Sequence, residues 1–122
     1  MMSLEECYDA LGGNYKAVLG RLSSERIVKK FVLKFLNDQS YVLLEQSMQD
    51  KNYEEAFRAA HTIKGVCQNL SFDRLGDSSS RLAEALRSGW TPEADALVDE
   101  VKRDYQETAD AIRAFQTENG ES

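Results

Sequence analysis

One histidine occurs in the whole chain, His61, and a lysine follows it one helical turn later in the run Ala60-His61-Thr62-Ile63-Lys64-Gly65. An imidazole is partly neutral near pH 7, and its unprotonated nitrogen is a nucleophile that can accept a phosphoryl group. The product would carry close to two negative charges. A lysine ammonium one turn away could meet those oxygens as a mobile point charge. Gly65 adjoins that lysine in what reads as helix interior, where glycine costs roughly 1 kcal/mol relative to alanine. A glycine kept there marks either a packing contact or a place where something must come close. Other chemistries lack their residues. A nucleophilic triad needs a serine or cysteine beside the histidine and an acid to orient it, but Cys67 falls on the apolar stripe and Thr62 points away. The chain lacks the ligands for a zinc site or a di-iron site, since Arg58 stands where an inward Glu-x-x-His pair would need its acid. It also lacks a Gly-rich phosphate cradle. No metal, no cofactor of its own and no ATP-dependent kinase activity are therefore expected.

The helix that must carry this patch reads from about Asn52 to Leu70. Tyr53, Ala56, Phe57, Ala60, Ile63, Cys67 and Leu70 recur at three- and four-residue spacing and define its core stripe. At roughly 100° per residue, His61 falls a quarter-turn or slightly more from the stripe's centre, at the rim of the core. Residues three, four and seven apart are surface neighbours. His61, Lys64, Gly65 and Gln68 thus form one patch, with Arg58 a turn before it; Arg58 and Gln68 are candidate partner contacts.

The remaining chain reads as nearly all helix, with one proline and no convincing period-two alternation. Ser3 and Glu6 suit a capping box on a short first helix, which Gly12-Gly13-Asn14 ends. Tyr15 to Leu22 reads as one or two loosely held turns. Ser23 or Ser24 should cap a long helix from about Glu25 to Met48, with a stripe of Ile27, Val28, Phe31, Val32, Phe35 and Leu36. Asn37-Asp38-Gln39-Ser40 is a possible break in it, and Val32, Leu33 or Leu36 could lie exposed beside the bundle seam. Ser71 or Asp73 should open the helix bearing Phe72, Leu75, Ser79, Leu82 and Leu86 on its inner face. Gly76 is small enough there for close packing. Trp90 is expected to cover the bundle end. Thr91-Pro92-Glu93 starts the last helix, expected to run to about Phe115, with residues 116–122 frayed. Short joins between amphipathic helices make an all-α, antiparallel four-helix bundle with a short additional N-terminal helix, as a single domain over residues 1–122.

The net charge of −6 argues against nucleic acid as a partner. No apolar run approaches the length of a membrane span and no signal peptide opens the chain, so a cytoplasmic protein is expected, and a bundle that closes within one chain is expected to be a monomer. Cys7 and Cys67 match no redox or zinc spacing and are expected as reduced thiols.

The Ala60–Gly65 run, followed by Leu70, Phe72, Leu75 and Leu82, resembles the histidine-containing phosphotransfer (HPt) domains of two-component phosphorelays. The resemblance covers about Arg26 to Arg87. It implies that His61 accepts a phosphoryl group from a receiver-domain aspartate or a histidine kinase and passes it to another receiver. Lys64 would stabilise the group and Gly65 would leave clearance for the partner. It also implies magnesium on the partner receiver and none here. The family commonly has glycine where this chain has Ser71, and some members carry a polar side chain where Ala83 falls. A helical adaptor that docks receivers without carrying phosphate is the alternative. In either case docking should bury apolar rim residues of the Glu25–Met48 stretch.

Overall fold

A computed structural model describes residues 1–120, which fold into helices α1 (Leu4–Leu11), α2 (Tyr15–Leu22), α3 (Glu25–Phe35), α4 (Ser40–Gln49), α5 (Tyr53–Leu70), α6 (Asp73–Leu86) and α7 (Pro92–Glu118), with no strand among these residues. The expected four-helix bundle is present. Its first member is the broken pair α3–α4, followed by α5, α6 and α7; α5 packs on α4 and α6, α6 on α7, and α1 lies along α7. None of the helices is long and apolar enough to cross a membrane.

The long Glu25–Met48 helix is interrupted at its polar segment. The amides of Asn37 and Asp38 turn back to the carbonyls of Lys34 and Phe35, and the Asp38 carboxylate accepts from the Ser40 amide at 2.8 Å. Short polar side chains offer the backbone such alternatives to helical bonds. Aromatic contacts fix both sides of the break: Phe35 meets Phe72 edge-on at 5.2 Å, and Tyr41 stacks on Tyr105 at 4.1 Å. The apolar stripe also differs from expectation. Val32 is buried and Leu33 and Leu36 are half-buried, whereas Phe31 of the expected stripe stands exposed together with Val42 and Leu43.

Both ends of α5 are fixed by other parts of the chain. Asn52 caps its start by accepting from the Glu55 amide. At its other end Ser71 adopts a left-handed conformation (φ 57°), which costs a non-glycine residue roughly 1–2 kcal/mol. The N-terminal helices surround that turn. Arg21 Nη1 donates to the carbonyls of Gln68 and Asn69 and to the Ser71 hydroxyl at 2.7–3.0 Å, placing a cation at the negative end of α5. The Tyr8 hydroxyl donates to the Leu70 carbonyl at 2.7 Å, and the Asn14 amide to Ser71 O at 2.9 Å. Gly13 passes so close that a Cβ there would stand 2.7 Å from Ser71 O. The segment expected as loosely held turns is therefore a capped helix that anchors α5.

Other boundaries differ in detail. Ser24 caps α3, with its hydroxyl accepting from the Ile27 amide, while Ser23 closes α2. Neither Ser71 nor Asp73 caps α6; Phe72 holds that position without a side-chain cap bond. Thr91 precedes Pro92 as expected, but its hydroxyl donates to Ala85 O, tying the α6–α7 connection instead of the helix amides. Trp90 is 48 % exposed and donates to Asp95, so it does not seal the bundle end. Helix α7 continues through Glu118, and Asn119 Nδ2 donates to Met2 O and Phe115 O. The expected fraying thus does not begin at residue 116; the last residues of that tail, 121 and 122, lie outside the described residues.

Candidate functional site

The buried set on α5 is Ala56, Ala59, Ala60, Ile63, Cys67 and Leu70. Tyr53 and Phe57, expected in this stripe, are half-buried, and Ala59 takes part instead. That shift rotates the core-facing direction away from the histidine. At about 100° per residue, His61 points nearly opposite the core, more outward than the rim position expected from sequence. The ring is exposed. Its one aromatic neighbour among the described residues is Phe57, one turn earlier, whose ring lies nearly parallel (22°) with centroids 6.0 Å apart. Neither ring nitrogen has a hydrogen-bond partner among the described residues.

Gly65 lies on the same outward face, one turn on, and is exposed. A Cβ built there meets nothing within 4 Å, and its φ is ordinary for a helix. Among the described residues, neither packing nor backbone geometry requires glycine at this position. Gly76 provides the contrast: a Cβ there would come 3.2 Å from the Cys67 Cβ, so this glycine serves the α5–α6 contact as expected. Gln68 is exposed on the His61 face, with its carbonyl taken by Arg21.

The two cations of the expected patch have different surroundings. Arg58 turns toward the start of α5, donating to Glu54 at 3.0 Å and Glu55 at 2.7 Å. These partners offset its charge within its own helix. Lys64 is half-buried on the flank that faces α6, with no ion pair or hydrogen bond among the described residues.

Helix α6 brings residues to this flank that the sequence reading did not assign. Ala83, expected opposite the ring, is buried and carries no polar atom to offer it. Glu84 and Arg87 stand outside it as an ion pair, Nη2 to Oε2 3.1 Å, and the Arg87 guanidinium carbon lies 5.5 Å from the centre of the Phe57 ring. Hydrogen bonds from Arg87, then its charge, hold the Glu84 carboxyl below the usual carboxylate range, and Lys64 pulls in the same direction. The signal for this cluster was the tight α5–α6 turn: counting back equally along both helices sets Phe57 opposite Arg87. Phe57 itself has the spacing of a core residue but is half-buried.

On the opposite flank a cleft of about 220 Å³ runs between α3 and α5, lined by Phe31, Lys34, Phe35, Asp38, Val66 and Asn69 among others. Phe31 is the exposed apolar side chain of the Glu25–Met48 stretch that lines it. The buried thiols are unlike the site residues. Cys7 and Cys67 are both free, and desolvation pushes Cys7 up to about 11 and Cys67 higher still.

A family model described as the Hpt domain matches residues 37–112 of the chain. Searches of the curated proteins and of the solved structures returned no match.

Proposed function

The chain belongs to the Hpt domain family, whose members act in phosphotransfer within two-component signalling, and on that premise we propose that His61 is the phosphoryl acceptor and donor of a phosphorelay. The observation that carries this reading is an exposed imidazole with a lysine on one flank and open space above Gly65. The donor is an aspartyl phosphate on a receiver domain, or the phosphohistidine of a histidine kinase. In transfer from a receiver, the lone pair of the unprotonated ring nitrogen forms the N–P bond as the acyl P–O bond breaks. That electron pair leaves with the receiver's carboxylate. The other ring nitrogen keeps its proton throughout, so this chain needs no general base. The reverse transfer delivers the group to a second receiver.

Lys64 sits where its ammonium can follow the phosphoryl oxygens as charge develops on them. Gly65 lets the partner's backbone reach the ring. Magnesium belongs to the partner receiver, where it offsets charge on the phosphoryl group. Gln68 is a contact at the edge of the docked face. Arg58, already paired with Glu54 and Glu55, meets the partner through its outer edge. The α3–α5 cleft, with Phe31 at its mouth, supplies the apolar part of a receiver interface. The protein works as a cytoplasmic monomer, its bundle closing within one chain.

The test is incubation with a phosphorylated receiver, followed by a search for acid-labile, alkali-stable label. Label on the parent chain that His61→Gln abolishes is expected. Label that survives this substitution refutes transfer through His61. Tight receiver binding without any label would point to a docking adaptor instead.

A further inference from the structure

One carboxylate on α6, Glu84, pairs with Arg87 and feels the charge of Lys64, the cation one turn along α5 from His61. Arg87 donates from Nε and Nη2 to Glu84 at 3.1–3.3 Å, and its guanidinium also covers Phe57, the ring against which His61 stacks. Lys64 reaches the same carboxylate electrostatically from α5. The Glu84 and Arg87 side chains are 70 % and 59 % exposed, so both are free to change partners. Neither makes a hydrogen bond or ion pair to any other helix among the described residues.

We propose that Glu84 is the resting counter-ion of the phosphohistidine site, and that Arg87 is a second phosphoryl-positioning cation, which Glu84 releases when His61 is phosphorylated. This rests on His61 being the acceptor and adds what sets how firmly the group is held. A neutral imidazole gives Lys64 and Arg87 no anion, and Glu84 supplies one. An N-phosphoryl group brings close to two negative charges and oxygens that match the guanidinium fork better than a point charge does. Arg87 turns from Glu84 toward those oxygens while keeping contact with the Phe57 face, which itself attracts a cation. Glu84 opposes the charged state twice, by competing for both cations and by repelling the dianion. No bond to phosphorus is made or broken by either side chain; only ion partners change. Glu84 therefore keeps the phosphoryl group transferable.

The experiment measures the equilibrium partition of phosphoryl between a receiver aspartate and His61, using the full chain at low and high salt. Glu84→Gln is expected to shift the partition toward His61 by about threefold, the scale of an exposed charge pair. Arg87→Ala should shift it away by a similar factor, and Arg87→Lys should restore part of the loss. All three shifts should shrink in high salt, while thermal unfolding of the variants stays close to the parent's. That last readout separates positioning from structural support. A labelled parent chain whose partition ignores both Glu84→Gln and Arg87→Ala overturns this inference alone. No label on the parent overturns the acceptor reading, and this inference with it.

Discussion

Gly65→Ala should make the domain more stable and less active. A methyl at this position meets no atom within 4 Å, and the backbone needs no special φ. The substitution therefore adds helix propensity without a clash, worth about 0.8–1 kcal/mol. For a domain of this size that raises Tm by about 4 °C. The same methyl projects from the His61 face into the space assigned to the partner. If receiver backbone packs on Gly65, the methyl displaces it by about 1 Å, and a misplacement of that size can slow a reaction by about 100-fold. Single-turnover transfer from a phosphorylated receiver, measured by rapid quench, should slow by about 10- to 100-fold, whereas the lifetime of phosphohistidine in the isolated chain stays unchanged. A fall in Tm would show that the space is not open. Transfer within twofold of the parent would show that the partner does not come close there.

The other predictions concern the support of α5 and the buried thiols. Arg21→Ala removes three hydrogen bonds to the C-terminal turn of α5 and should cost about 2 kcal/mol, read by urea unfolding. Tyr8→Phe leaves the buried Leu70 carbonyl without its hydroxyl donor and should cost about 1–2 kcal/mol in the same assay. Gly13→Ala drives a methyl to 2.7 Å from the Ser71 carbonyl, so it should destabilise by about 2 kcal/mol and raise amide exchange at the α5–α6 turn. The Cys7 thiol is pushed from 9.0 up to about 11 by desolvation. The folded state thus holds this proton more firmly, and the associated stability is present below the unfolded pKa and lost as pH rises from about 9 toward 11. Urea midpoints should fall across that window, where the raised Cys67 and Tyr8 groups add to the fall, and Cys7→Ser should lessen it.

Much of the fold was legible because the helices announce themselves. The Thr91-Pro92-Glu93 start, the Ser3–Glu6 capping box and the apolar spacing of α6 all lie in local sequence and reappear in the structure. What stayed hidden depends on contacts remote in sequence. Tyr15–Leu22 looked weak because its value lies in one arginine, Arg21, nearly fifty residues from the carbonyls it binds. Phe57 matched the core spacing of α5, but the bundle buries Ala59 in preference, which turns His61 further outward and leaves Phe57 as its stacking partner. Glu84 and Arg87 are an exposed i,i+3 pair within α6, and only the register of α6 against α5 brings Glu84 under the charge of Lys64 and Arg87 over Phe57. Ser71 departs from the glycine common in the family, yet it holds the left-handed turn, with Arg21 donating to its hydroxyl and the Asn14 amide to its carbonyl.

The most direct measurement is phosphorus–proton correlation NMR on the chain after incubation with a phosphorylated receiver. The sequence contains a single histidine, so any phosphoramidate resonance coupled to imidazole ring protons must come from His61. One such resonance, discharged when a second, unphosphorylated receiver is added, is the expected result. A spectrum in which the chain binds phosphorylated receivers yet never shows that resonance would contradict the phosphorelay reading.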